Sequence, residues 1–233
     1  MRLVHGSAVA IAMALLVYPT INAQDAARAV AGGGITVPGW QGKIDANEEK
    51  AGQTLNNAKF APEGQGIHVT TGPAVTYWNP KNVATGNYTI KATFNEPKYM
   101  SLNDHPHPYG IVIAGNDMGT ATQSFLYCSA YGNGTFIVRG MGPDPFFLGT
   151  SRRAVAHEAV NKAPGAGQPV TQEIAMTVSA DSVSCSINGK EVAKFPKTEA
   201  IGAGKLKSTD GVYGIRFAHN TEAIVTGLTM TKQ

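Results

Sequence analysis

The segment from Asp104 to Pro108 holds the side chains of this chain that are best suited to chemistry. His105 and His107 are two positions apart, so on an extended strand both imidazoles would point to the same side. Two imidazoles so placed could bind a metal or exchange protons. However, Pro106 and Pro108 interrupt a regular strand, and no third ligand is evident nearby. We therefore predict no metal and no cofactor. Two interpretations of the segment remain: it supplies an acid–base group at the mouth of a groove, or it is a surface loop stiffened by proline.

A second set of candidates follows from strand alternation. Tyr127 and Tyr131 alternate with small and aliphatic residues in 124–131, and Arg139 and Arg216 alternate with apolar neighbours on later strands. Aromatic rings stack on the apolar faces of sugars, while arginine and asparagine bind their hydroxyl groups. We therefore predict a glycan-binding face; the alternative is ordinary cross-strand packing of tyrosine and arginine. The predicted ligand-binding residues are Asn116, Tyr127, Tyr131, Arg139, Arg216 and His219, and the candidate catalytic residues are Asp104, His105, His107 and Asp117.

The elements that must position these residues are short strands joined by turns. Residues 182–187 alternate between apolar residues and serine, and Asn188-Gly189 follows. Asn-Gly is the strongest short-range signal for a hairpin, because a type I′ turn needs positive φ at both central residues. About eleven or twelve such strands without a long repeat predict an all-β sandwich. Residues 45–51 are compatible with one helical turn or with a loop.

One long connection, residues 142–169, interrupts this pattern. Ala156, Ala159, Val160 and Ala163 recur at helical spacing, so its middle is compatible with a short helix. Long loops in compact domains are often binding elements. Because the connection follows the Arg139 strand, we expect Phe146 and Phe147 to cover a bound sugar.

The N-terminal sequence and the net charge limit the class of protein. Arg2, an apolar run and Pro19 predict a signal peptide over residues 1–23, followed by a flexible leader (24–34) and one domain (35–233). This predicts a periplasmic or secreted protein without membrane insertion. The net charge is only +3, and the sequence contains no stripe of basic residues. Both observations disfavour binding to nucleic acid. Cys128 and Cys185 are either a disulfide, which export would permit, or two buried thiols.

Several segments together resemble a known family. They are GIHVTTG, AVTYWN, GNYTIKATF, YGIVIAGND, SVSCSINGKEV and GVYGIRFAHN. Their order resembles the concanavalin A-like lectin/glucanase jelly roll and, more narrowly, the secreted 3-keto-disaccharide hydrolase domain, over about residues 36–231. The resemblance implies a two-sheet antiparallel jelly-roll sandwich and, for the narrower family, cleavage of glycosides.

Two catalytic signatures are absent. No glutamate has an aspartate two residues later, so the E-x-D-x-x-E nucleophile and acid of family 16 glucanases are missing. His157-Glu158 begins an HExxH zinc motif, but position 161 is Asn161. The leading hypothesis is therefore an exported lectin-like domain that binds glycan on its concave sheet. A 3-keto-type hydrolase and a non-catalytic protein-interaction module are the alternatives, and the sequence leaves the oligomeric state undetermined.

Overall fold

The computed structural model describes residues 28–233, so the predicted signal peptide lies outside the described residues. Within this range the chain forms sixteen strands and two short helices. The strands are β1 (Gly34–Ile35), β2 (Gln41–Ile44), β3 (Ala58–Glu63), β4 (Gly66–Thr71), β5 (Val75–Ala84), β6 (Tyr88–Glu96), β7 (Tyr109–Asn116), β8 (Ser124–Tyr131), β9 (Thr135–Met141), β10 (Pro145–Phe147), β11 (Val155–Ala156), β12 (Val170–Val178), β13 (Ser182–Ile187), β14 (Lys190–Pro196), β15 (Gly211–Phe217) and β16 (Glu222–Lys232). The helices are α1 (Ala46–Lys50) and α2 (Lys197–Ala200), and a 3₁₀ turn covers Leu55–Asn57. None of these helices is long and apolar enough to cross a membrane.

The strands form two sheets, which confirms the predicted all-β sandwich. The first sheet has the order β1-β3-β4-β16-β6-β12-β13-β14. The second has the order β10-β9-β8-β7-β15-β5-β2, and β11 pairs with β9. All pairs are antiparallel except β1 with β3. Neighbours in these sheets are often distant in sequence, as expected of a jelly roll.

Alternation explains which side of each strand faces the core. On β6, Tyr88, Ile90 and Phe94 are fully buried, while the intervening Lys91 is exposed. On β8, Leu126 and Cys128 join the main core between the sheets. Phe125 and Tyr127 instead form a separate apolar cluster on the outer face of the second sheet. The period-2 pattern therefore assigns the two faces of the second sheet correctly.

A disulfide joins the two sheets through this core. Cys128 on β8 and Cys185 on β13 are bonded, with their Cα atoms 6.3 Å apart. Both residues are at most 1% exposed. Of the two alternatives that the sequence left open, the structure has the disulfide.

The β13–β14 hairpin contains the predicted turn. Asn188 has φ of 50° and Gly189 has φ of 78°, so both central residues lie in the left-handed region that a type I′ turn requires. The Asn188 side chain also binds the neighbouring strand, because its Oδ1 accepts from the backbone N–H of Glu173 at 2.8 Å. The turn is thus held both by its own backbone and by β12.

Replacement of Gly189 by valine is expected to lower the free energy of unfolding by roughly 1 kcal/mol or more, because a β-branched residue is strained at positive φ. No heavy atom lies within 4 Å of a Cβ added there, so the effect reports backbone strain without a clash. Chemical denaturation of Gly189→Val and Gly189→Asn separates the two cases, since asparagine tolerates this conformation. Equal stability of Gly189→Val and the unaltered protein would contradict the prediction.

The short helix expected in the long connection is not present. Residues 142–169 contain β10 and β11 rather than a helix; Val155 and Ala156 pair with Phe136 and Thr135 on β9. Pairing with the edge of β9 stabilises a strand here more than the weak helical spacing would stabilise a helix. Strand β3 begins at Ala58, directly after the 3₁₀ turn. The turn predicted at 45–51 is present as α1.

Candidate functional site

A cleft of about 480 Å³ lies on the outer face of the second sheet. Its volume is within the range typical of small-ligand sites. Strands β8, β9 and β15 form its floor, the start of α1 forms one wall, and the 105–108 loop forms its rim. The lining residues are Asp45, Asn47, Glu48, Ala74, His105, Pro106, His107, Pro108, Tyr127, Ser129, Tyr131, Ile137, Arg139, Arg216, Ala218 and His219. Five of the six predicted ligand-binding residues line this cleft, as do His105 and His107.

The sheet register explains why these side chains meet. Arg216 on β15 is opposite Gly110 on β7, which is opposite Ser129 on β8. In the next row, Tyr127 on β8 is opposite Arg139 on β9. Gly110 contributes no side chain to its row, and a Cβ there would lie 1.9 Å from the carbonyl oxygen of Cys128. A glycine at this position therefore keeps the strands close and the floor open.

Arg216 is engaged by a partner from the other end of the chain. Its Nη1 donates to Asp45 Oδ1 at 2.8 Å and to Thr76 Oγ1 at 2.8 Å, and its Nη2 donates to Asp45 Oδ2 at 2.5 Å. Burial by itself would lower the pKa of Arg216, but the Asp45 carboxylate raises it overall. The side chain is only 11% exposed. Its replacement would leave the Asp45 carboxylate unpaired in the cleft wall, so we expect Arg216 to stabilise the fold as well as shape the site.

Arg139 differs from Arg216 in its contacts. Its guanidinium carbon lies 4.4 Å from the centre of the Phe147 ring, a cation–π distance. Phe147 is directly opposite Arg139 on β10. Phe146, by contrast, packs over Gly140 and belongs to the core, so it does not cover the cleft as predicted. Phe146 is therefore a core residue, and Phe147 supports the guanidinium of Arg139.

The rim contains a row of hydrogen bonds that begins at Asp104. His105 Nδ1 lies 2.7 Å from Asp104 Oδ1, and His105 Nε2 lies 2.7 Å from His107 Nε2. His107 Nδ1 lies 2.5 Å from the carbonyl oxygen of His219. The ring of His219 packs edge-on against His107, with centroids 4.1 Å apart. The Pro-rich segment therefore forms a defined network at the cleft, although its prolines prevent a regular strand.

The protons in this row can be assigned from the acceptors. A carbonyl oxygen only accepts, so His107 Nδ1 must carry a proton. Burial lowers the pKa of His107 to about 4, so His107 is neutral at neutral pH and its Nε2 is an acceptor. His105 Nε2 must then donate to it, and the Nδ1 side of the same ring faces the Asp104 carboxylate. The row therefore holds His105 between Asp104 and the acceptor nitrogen of His107.

Two predicted site residues lie elsewhere. The Asn116 amide donates to the carbonyl oxygens of Ala114 and Asp210, each at 3.0 Å. The Asp117 carboxylate forms an ion pair with Lys207. Neither residue lines the cleft. They lie at the end of β7 that is farther from the cleft.

The contribution of α1 to the cleft wall was not predicted from the sequence. Asp45 and Glu48 reach the cleft because β2 pairs with β5, which pairs with β15. Glu48 lies 3.7 Å from Nδ1 of His219. Only the acidic composition of the predicted helical turn could have suggested these residues. Among residues 28–233, no group of three or more histidine, cysteine, aspartate or glutamate side chains is arranged to hold a metal.

Comparison with known proteins identifies the fold. No protein-family model matches the chain, and no curated protein sequence does. The carbohydrate-binding module CBM66 from Bacillus subtilis superposes with a TM-score of 0.53 at 6% identity, over 85% of this chain and 99% of that one. A Bacillus subtilis protein of unknown function with a galectin-like fold superposes with a TM-score of 0.50 at 13% identity, over 83% of this chain and 89% of that one. The fold is thus a concanavalin A-like jelly-roll sandwich; the narrower resemblance to 3-keto-disaccharide hydrolases has no support from these matches.

Proposed function

We propose that this protein is a carbohydrate-binding β-sandwich that holds glycan in the cleft on the outer face of its second sheet. The observation that carries this proposal is the composition of the cleft: two tyrosines and an arginine converge there with polar groups from α1. Such a surface can stack a sugar ring and bind its hydroxyl groups. The likeness of the fold to a module named for carbohydrate binding supports the proposal. A protein-docking face would be flatter and more apolar at its centre.

Tyr131 gives the direct test of sugar stacking, because it lines the cleft and is only partly buried. We expect Tyr131→Ala to weaken glycan binding by about tenfold, which corresponds to an aromatic contact of roughly 1 kcal/mol or slightly more. Tyr131→Phe is the matched control, because it retains the ring and loses only the hydroxyl group. Titration calorimetry with a glycan that the unaltered protein binds gives the affinities. Equal losses in both variants would contradict stacking and indicate a hydroxyl contact instead.

We further propose that the protein is exported to the periplasm or secreted. The predicted leader and a disulfide in the core are both typical of oxidising compartments. We expect the mature chain to begin near Gln24, as N-terminal sequencing of protein from the native host would reveal. Recovery of the mature protein with Met1 still present would contradict this.

A second candidate is a glycoside-cleaving enzyme, and the Asp104–His105–His107 row favours it. A neutral imidazole beside a cleft can accept a proton from substrate or water, and the adjacent Asp–His pair can buffer that proton. Release of monosaccharide from 3-keto and unmodified disaccharides tests this directly. Loss of turnover in His107→Gln, with glycan affinity retained, would support the enzyme; absence of turnover by the unaltered protein on both substrates would leave the binding proposal alone.

A further inference from the structure

We propose that the cleft selects sugars bearing a carboxylate, such as uronic acid residues, and that Arg139 is the residue that binds this group. The inference rests on the proposed carbohydrate-binding function and adds the class of ligand. It is carried by the difference between the two arginines of the cleft, of which one has a carboxylate partner and the other does not.

Arg139 lacks the partners that an arginine in a cleft usually has. Its Nε is buried and has no hydrogen-bond partner within residues 28–233, and no carboxylate in that part of the chain forms an ion pair with it. A buried donor without an acceptor is costly, and that cost disappears when a ligand supplies the acceptor. The Nε and Nη groups of arginine match the two oxygens of a carboxylate.

The guanidinium of Arg139 is also held in position. Phe147 lies beneath it at 4.4 Å, and the guanidinium carbon of Arg152 lies 4.5 Å from the centre of the same ring. Two cations around one ring repel each other, so an anion near them is favourable. Neither Phe147 nor Arg152 carries a negative charge that could pair with the Arg139 guanidinium.

The negative charges of the cleft lie at its other end. Asp45 is neutralised by Arg216, and Glu48 lies 3.7 Å from Nδ1 of His219. The backbones of Arg139 on β9 and Arg216 on β15 are three strand spacings apart, about 14 Å across the sheet, and the Arg216 guanidinium lies 5.2 Å from the Tyr127 ring between them. The cleft therefore has a cationic end and a hydrogen-bonding end. A bound oligosaccharide would place its carboxylate on Arg139 and its hydroxyl groups toward α1, with Tyr127 between them.

The test compares glycans that differ only in their carboxylates. The folded, disulfide-bonded protein is titrated with oligosaccharides of galacturonate, glucuronate and mannuronate, and with the same oligosaccharides after reduction of their carboxyl groups to alcohols. We expect at least one acidic oligosaccharide to bind about tenfold or more tightly than its reduced form, as one charge-assisted hydrogen bond predicts. This preference should shrink as salt is raised. Sulfated, uronate-free oligosaccharides form a further arm; binding of these alone would overturn the assignment to carboxylate.

Variants then identify the residue that is responsible for the preference for acidic oligosaccharides. Arg139→Met should abolish it while leaving the melting temperature nearly unchanged, and Arg139→Lys should restore part of it, since lysine keeps the charge but loses the fork. Arg153→Met is the control, because Arg153 is exposed and lies outside the cleft. Equal binding of acidic and reduced glycans by the unaltered protein would overturn this inference but leave the proposed function intact. Failure of every glycan to bind would overturn both, and a preference that survives Arg139→Met would overturn the role of Arg139.

Discussion

Loss of the Cys128–Cys185 disulfide is expected to lower the free energy of unfolding by about 4 kcal/mol, the largest single effect that we predict. The two cysteines are 57 residues apart in sequence, so the bridge closes a long loop and restricts the unfolded chain. It also joins β8 of one sheet to β13 of the other at the centre of the core. For a domain of this size, a change of this magnitude corresponds to a fall of roughly 8–16 °C in Tm.

The measurement should separate the cross-link from the packing of the sulfur atoms. The unaltered protein refolded in reductant keeps both thiols in the core and loses only the bond. The double variant Cys128→Ala/Cys185→Ala loses both, so we expect it to be the less stable of the two. Chemical denaturation curves of the oxidised, reduced and double-variant proteins give the comparison. Coincident curves for the oxidised and reduced forms would contradict the prediction.

Replacement of Glu96 by glutamine is expected to stabilise the protein by up to about 3 kcal/mol at pH 8 and to have little effect at pH 4.5. Glu96 is 6% exposed at the end of β6. Burial raises its pKa from 4.5 to about 7, and the nearby Glu222 contributes, although the Met100 backbone N–H and the Tyr109 hydroxyl group act in the opposite direction. The charged carboxylate is therefore disfavoured in the folded protein.

The sign follows from proton binding. Between pH 4.5 and 7 the folded protein holds a proton on Glu96 that the unfolded chain has already released, so stability falls as the pH rises through this window. His107 acts in the opposite direction. Its pKa is lowered from 6.5 to about 4, so its contribution falls as the pH drops through 6.5 toward 4. These two contributions nearly cancel between pH 4.5 and 6.5, so the difference between the variant and the unaltered protein is the measurement that reveals Glu96.

Denaturation at several pH values from 4.5 to 8 gives this difference. Glu191→Gln is the matched control, because Glu191 is exposed on the edge strand β14. A Glu96→Gln variant whose stability relative to the unaltered protein does not rise between pH 4.5 and 8 would show that the carboxylate is accommodated in its charged form.

Local sequence patterns were sufficient to predict which way the strand side chains point. The alternation around Cys128 assigned Tyr127 and Tyr131 to the outer face, and the Asn188-Gly189 pair specified the hairpin turn. Both are local properties: successive residues of a strand point to opposite sides, and few residues adopt positive φ without strain. The all-β sandwich follows from the same patterns repeated along the chain.

Which of these side chains meet, and which charges they pair with, depends instead on the arrangement of the strands in the folded domain. Asp45 and Arg216 are 171 residues apart, and they pair because β2, β5 and β15 are neighbours in one sheet. This pairing engages Arg216 and distinguishes it from Arg139, although the local sequence patterns of the two arginines are similar. Strand order, unlike strand direction, depends on contacts across the whole domain. The sequence therefore identified the face of the candidate site, whereas the fold determined which residues on that face are available to a ligand.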